Sequence, residues 1–125
     1  MIRVLLVDDQ PTVRQGLRMR LALEPDVSVV GEADDGEAAL KLATDLRPDV
    51  VVMDLVMPGM DGLAATAALH GLAPGSAVVV LSLYDDAAMR QRALDAGAVG
   101  FVGKCEAAEA LPAAIRHAAA QQADS

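Results

Sequence analysis

VVVMDLVMPGMDG, residues 50–62, decides the fold. Four consecutive apolar residues end on a single acid, Asp54, and the chain then runs through Pro58 and Gly59 to Asp61 and Gly62, a pair suited to a turn and a helix start. A short continuous run of this kind is what a parallel strand covered on both faces looks like. Working outward, comparable runs stand at 2–7, 27–33, 77–81 and 99–102, with 50–53 third in the series. Stretches of helical period separate them. Val13, Leu17 and Leu21 follow Pro11, a residue at home in a first helical turn, and Ala39, Leu42, Ala43 and Leu46 follow Asp34, Asp35 and Gly36. Asp34 with Glu37 resembles a capping box, and Pro48 stops the second helix. Further helices are expected at 61–72, at 85–96 with Gly97 as the C-terminal glycine, and at 107–120, leaving QQADS at 121–125 as a tail or the start of a linker. The fold class is therefore α/β: five βα units make an open parallel sheet with helices on both faces, whereas a closed barrel needs eight.

The 125 residues suffice for one domain and not two. At 54% hydrophobic and 22% charged they can fill a core. Eighteen acidic residues against ten basic ones give a net charge of -8, which opposes direct nucleic-acid binding by this chain. Tyr84 and Phe101, the two aromatics, cannot build a base-stacking platform. No apolar run approaches the ~20 residues of a membrane span, and the N-terminus lacks the pattern of a secretory signal. The chain reads as cytoplasmic, without membrane attachment. Cys105, the one cysteine, supports neither an internal disulfide nor a thiolate zinc site.

In a parallel sheet all strands end on one edge, and ligands bind there. Asp8 and Asp9 follow the first run, Asp54 the third, Ser82 the fourth and Lys104, one of two lysines, the fifth. If the strand order is 2-1-3-4-5, the first and third strands are neighbours and three carboxylates converge. Like charges 4 Å apart repel by ~4 kcal/mol even at an effective dielectric of 20, so the cluster calls for a cation or for shifted protonation. An all-oxygen site suits Mg²⁺ together with a phosphate better than zinc. A metal, an ammonium and a hydroxyl are what phosphoryl transfer requires around the transferred oxygens. Asp54, alone on the central strand, is the choice of nucleophile, with Asp8 and Asp9 sharing the metal.

Taken together, LLVDD, VVMDLVMPGMDG, VVVLS and GFVGK, in this order and spacing, resemble the receiver domain of two-component response regulators over essentially the whole chain. The resemblance implies a doubly wound, flavodoxin-like or CheY-like (βα)5 fold that takes a phosphoryl group from the phosphohistidine of a sensor histidine kinase onto an aspartate, with Mg²⁺. By position, Asp54 matches the phosphoacceptor, Asp9 the direct metal ligand, Asp8 the second acid and the backbone carbonyl of Val56 the third protein ligand. Ser82 matches the switch hydroxyl, Lys104 the characteristic lysine and Phe101 the switch aromatic. The implied output is a changed surface on the fourth helix, fifth strand and fifth helix, or homodimerisation on phosphorylation. VVGEADDGEAAL and LSLYDDAAMRQRALDAGAVGFVGK are more narrowly similar to the NarL/FixJ subfamily, whose receivers precede a LuxR-type helix-turn-helix domain. Residues 1–120 are then expected to be the receiver and 121–125 a tail or the start of a linker, the chain being either the receiver portion of a longer regulator, which the subfamily likeness and the polar end favour, or a receiver that stands alone.

This sequence departs from the pattern at three places. Cys105 stands where many receivers have a cis proline, so a trans bond is expected. Leu83 is bulkier than the usual residue beside the hydroxyl and would partly screen the phosphoryl group. Serine and phenylalanine replace threonine and tyrosine as the switch pair. Plainer readings compete with the functional ones: Asp8 and Asp9 as helix caps, Ser82 as a helix N-cap, Phe101 as core filler, and His70 and His117 as surface groups. Among other functions, a Mg²⁺-dependent phosphohydrolase would place an acid two residues beyond the nucleophile, where Val56 stands. A nucleotide or flavin binder would want a glycine-rich loop in place of DDQPT. A receiver that signals without phosphate would not retain the full acid, hydroxyl and lysine set.

Overall fold

The computed structural model describes residues 1–57, 59–83 and 86–123. Five strands, β1 (Ile2–Val7), β2 (Val27–Ala33), β3 (Val50–Asp54), β4 (Ala77–Ser82) and β5 (Gly100–Gly103), alternate with α1 (Pro11–Leu21), α2 (Gly36–Leu46), α3 (Gly62–Leu72), α4 (Ala87–Asp95) and α5 (Ala107–Ala123). All pairings are parallel, and the order is β2-β1-β3-β4-β5. The doubly wound fold expected from the sequence is the fold observed.

The two-residue period of a strand explains why the runs are apolar throughout. Val4 and Leu6 of β1, Val50 and Val52 of β3, and Val79 and Leu81 of β4 face one layer, packed by Leu17 and Leu21 of α1 and by Leu111, Ile115 and Ala118 of α5. The alternate residues, Leu5, Val7, Val51, Met53, Val78 and Val80, face a second layer closed by α2, α3 and α4, largely through alanines such as Ala39, Ala43, Ala65 and Ala93. Two thin cores on either side of one sheet result.

Helix ends follow local chemistry. Pro11 occupies the first turn of α1. The N-cap of α2 is Asp35 and not Asp34: Asp35 is the extended residue, and its carboxylate accepts from the N–H of Ala38 at 2.7 Å. Pro48 does stop α2, acting through Arg47, which takes a left-handed conformation (φ 50) because the residue before a proline is disfavoured in the right-handed helical region. Gly97, at φ +109, closes α4 as expected. Asp86 caps α4 at Met89, so the helix starts later than residue 85. Asp85 and Tyr84 lie outside the described residues. The fifth helix continues to Ala123, so the expected tail is helical at 121–123, and its last two residues lie outside the described ones. A 3₁₀ turn, Lys104–Glu106, joins β5 to α5 and was not expected.

Pro112 sits inside α5 and has no N–H to give the carbonyl of Ala108. Nε of Arg20 supplies that donor from α1 at 2.7 Å. Arg20 also meets Glu24, and Glu24 with Asp26 holds Arg116 of α5, so the C-terminal end of α1 and the connection after it are tied to α5.

Candidate functional site

Register brings the acids together. Val7 of β1 pairs with Met53 of β3, and one step further along the two neighbouring strands stand Asp8 and Asp54. Both are buried, at 1% and 2% exposure. The N–H of Asp8 continues the ladder to the carbonyl of Ala33, and its Oδ1 accepts from the N–H of Gln10 at 2.9 Å. Helix α1 is nevertheless capped by Gln10 without any side-chain bond, which disposes of the reading of Asp8 and Asp9 as its N-caps. The Oδ1 of Asp54 accepts from the N–H of Val56 at 3.3 Å. Nζ of Lys104, presented by the 3₁₀ turn, lies 3.1 Å from Oδ2 of Asp8 and 3.2 Å from Oδ1 of Asp54. Asp9 is half-buried beside them. One oxygen from each of Asp8, Asp9 and Asp54 can be taken so that all lie within 4.8 Å of one another.

Burial pushes the Asp54 carboxyl up to about 6, and the charge of Asp8 pushes the same way, against the pull of Lys104 and the Val56 N–H. Burial alone would lower the Lys104 ammonium, but its contacts with Asp8 and Asp54 outweigh burial and its pKa is raised. One cation thus bridges two buried acids with a third close by, leaving negative charge in excess. The Oδ2 of Asp8 is buried and, although within ion-pair distance of Lys104, has no partner in hydrogen-bond geometry among the described residues. An under-satisfied buried carboxylate oxygen within an all-oxygen cluster fits a hard divalent cation.

Ser82 ends β4, 1% exposed, one residue past Leu81, the register partner of Asp54. It does not cap α4, since Asp86 does. Phe101 pairs with Val80 and packs half-buried against the α2–α3–α4 core, with the guanidinium of Arg90 4.8 Å from its ring centroid. Among the described residues every peptide bond is trans, that before Cys105 included. Val56 and Leu83 point outward beside the site, 62% and 67% exposed. Leu83, Lys104 and the exposed Cys105 line a hollow of about 430 Å³ against α1. His70 and His117 are exposed.

Two residues that shape the site are not assigned to it by the sequence: Gly62, which reads there as part of a helix start, and Arg14. A Cβ on Gly62 would lie 2.1 Å from the carbonyl oxygen of Asp54 and 2.6 Å from Cα of Leu55, so the start of α3 lies flat against the backbone that carries the central acid. Asp61 beside it caps α3 at Ala64, the helix-start role expected for it. Arg14 donates from Nη1 to the backbone carbonyl of Asp8. The first was signalled by the glycine itself, while the second reads in sequence as an ordinary charged position on a helix.

Residues 4–116 match the response regulator receiver domain. The transcriptional regulatory protein LiaR of Bacillus subtilis is 42% identical over 118 residues, 94% of this chain and 56% of that protein. The response regulator GacA of Pseudomonas aeruginosa is 44% identical over 122 residues, 98% of this chain and 57% of GacA. The chain therefore spans a little over half the length of these relatives. Among solved structures, a LuxR-family two-component response regulator from Aurantimonas superposes with a TM-score of 0.91 at 35% identity, covering 95% of this chain and 85% of that one. These likenesses agree with the NarL/FixJ type of regulator. Fold, strand-end acids and sequence kinship converge: the chain belongs to the receiver domain family of response regulators, whose general function is a phosphorylation switch in two-component signalling.

Proposed function

We propose that Asp54 is the phosphoacceptor of this receiver. The observation that carries the reading is a buried aspartate at the end of the central strand, bridged by Lys104 to Asp8 and with Asp9 in the same cluster. A carboxylate oxygen of Asp54 forms a bond to phosphorus as the nitrogen–phosphorus bond of a sensor kinase phosphohistidine breaks, and the imidazole leaves with the electron pair. Asp8, Asp9, Asp54 and the backbone carbonyl of Val56 would hold Mg²⁺, which supplies charge neutralisation for the incoming phosphoryl oxygens. Lys104 is placed to meet the same oxygens once they stand on Asp54. Ser82 supplies the switch hydroxyl, and Phe101, lacking a hydroxyl of its own, follows it by packing alone.

The product is long-lived. Val56 stands where a hydrolase would need an acid, and its exposed apolar side chain activates no water. The chain is thus a signalling phosphoacceptor with self-catalysed transfer and slow loss of phosphate. Residues 1–120 form the receiver, and the chain beyond leads to an output domain, by analogy with the longer LiaR and GacA a DNA-binding one. Phosphorylation alters the α4–β5–α5 surface or drives homodimerisation. A cytoplasmic place follows from the partner kinase; no helix among the described residues is long and apolar enough to cross a membrane.

Incubation with acetyl phosphate and Mg²⁺, followed by intact mass, tests the reading. One phosphoryl adduct that persists for minutes and is lost in Asp54→Ala or with chelator supports it. Absence of an adduct even with a cognate kinase, or rapid turnover to free phosphate, rejects it.

A further inference from the structure

The carbonyl of Asp8 lies past the last β1–β3 register pair, in a buried place where water is scarce, and it must find a donor. It finds Arg14. The guanidinium, 17% exposed, gives Nη1 to that carbonyl and Nε to Oε1 of Glu32 at 3.2 Å. Glu32 belongs to β2, and its other oxygen takes Nη1 of Arg18, one turn further along α1. Both backbone polar groups of Asp8 are therefore fixed, the N–H by Ala33 and the C=O by Arg14. The peptide between Asp8 and Asp9 is that same carbonyl's peptide, so fixing it also sets where the Asp9 side chain begins.

The acids on this loop repel one another and Asp54, and a flexible loop would relieve the repulsion by spreading. We propose that Arg14, oriented by Glu32, is a positioning residue of the divalent-cation site: it holds the Asp8–Asp9 peptide so that the two carboxylates stay converged on Asp54. It touches neither metal nor phosphoryl group and acts through the backbone of Asp8. The inference rests on the cation-binding reading given above and assigns to it two residues, Arg14 and Glu32, that carry none of its chemistry. Partners that orient the ligands of a metal commonly contribute one to two orders of magnitude in affinity. A lysine cannot reproduce the arrangement, because it lacks the planar fork that reaches a carbonyl and a carboxylate together.

Calorimetric titration of the chelator-treated, unphosphorylated protein with MgCl₂ tests this, with urea unfolding run alongside. Arg14→Met is expected to raise the Mg²⁺ Kd about tenfold, Arg14→Lys to recover little of that loss, and Glu32→Gln to give a smaller rise in the same direction. Arg116→Met removes the same charge at a position whose partners, Glu24 and Asp26, lie outside this network, and should leave the Kd unchanged. An unchanged or lower Kd in Arg14→Met overturns the proposal, and so does full recovery by lysine, which would show that one donor suffices without the fork that Glu32 orients. If Arg14→Met does not fold, Glu32→Gln, which conserves volume, decides on the same criterion. Failure of the wild type itself to take up Mg²⁺ would instead reject the reading of the site, and this inference with it.

Discussion

The backbone carbonyl of Asp54 leaves no room for a side chain on Gly62, since a Cβ there would stand 2.1 Å from its oxygen. Alanine normally improves a helix over glycine, yet at the first residue of α3 the effect reverses. Gly62→Ala is expected to lose about 3 kcal/mol, the upper range for overpacking a close contact, and to slow phosphorylation by acetyl phosphate because relief of the clash must move Asp54. Urea unfolding and phosphorylation kinetics on the same preparation check both effects. Wild-type stability would show that the two backbones separate readily.

The raised pKa of Asp54 makes stability depend on pH in a defined direction. The carboxyl titrates near 3.8 when unfolded and about 6 when folded, so the folded state holds its proton longer. Its contribution is full below pH 4 and is lost as pH rises through 6, a deficit of roughly 3 kcal/mol at neutral pH. Asp54→Asn, which stays neutral, should therefore match the wild type near pH 4 and exceed it above pH 7 in chelator. Added Mg²⁺ should narrow the gap by stabilising the wild type. Paired urea titrations across this range measure the difference, and a constant gap would contradict it.

Asp26 behaves in the opposite sense. Arg116 beside it holds its carboxyl down to about 2, so the pair stabilises fully above pH 4 and fails as pH falls toward 2. Arg116→Met should cost stability at neutral pH by a salt-sensitive amount, because the pair is exposed. The difference from wild type should shrink as pH falls through 2. Thermal melts at low and high salt across the acid range are the check.

Arg20 and Pro112 should be energetically coupled. Arg20→Met leaves the Ala108 carbonyl without its donor, at about 1 kcal/mol for an exposed hydrogen bond. Pro112→Ala restores the helical N–H, so in that background the same Arg20 change should cost less. A double-mutant cycle in urea measures the coupling, and additive effects would mean the carbonyl is satisfied by solvent.

The strand order and the acid cluster were legible because buried parallel strands write themselves as apolar runs that end on the residues they present. Asp8, Asp54 and Lys104 each terminate such a run, and their meeting follows from β1 lying beside β3. What was not legible depended on backbone phase or on distant partners. Asp34 and Asp35 both precede a helix, and only the extended conformation of Asp35 decides which one caps it. The turn at Lys104–Glu106 is too short to impose a period. Arg14 looks like any charged helical residue until the buried Asp8 carbonyl and Glu32 are seen beside it.

The alanine-lined face of the sheet has one further consequence. Helix α4 buries only Ala93 completely, with Met89 partly sheltered, while α5 on the opposite face sinks Leu111, Ile115 and Ala118. Detaching α4 uncovers Ala93, part of Met89 and the sheet residues beneath them and breaks the Arg90–Phe101 contact. The helix nevertheless buries fewer large side chains of its own than α5 does, so its local opening lies lower on the ladder of native-state fluctuations than that of α5. An event at the strand ends that favours another seat for this helix by only a few kcal/mol is therefore enough to redistribute the ensemble. The amino acid that makes these helices slim also makes one of them inexpensive to shift.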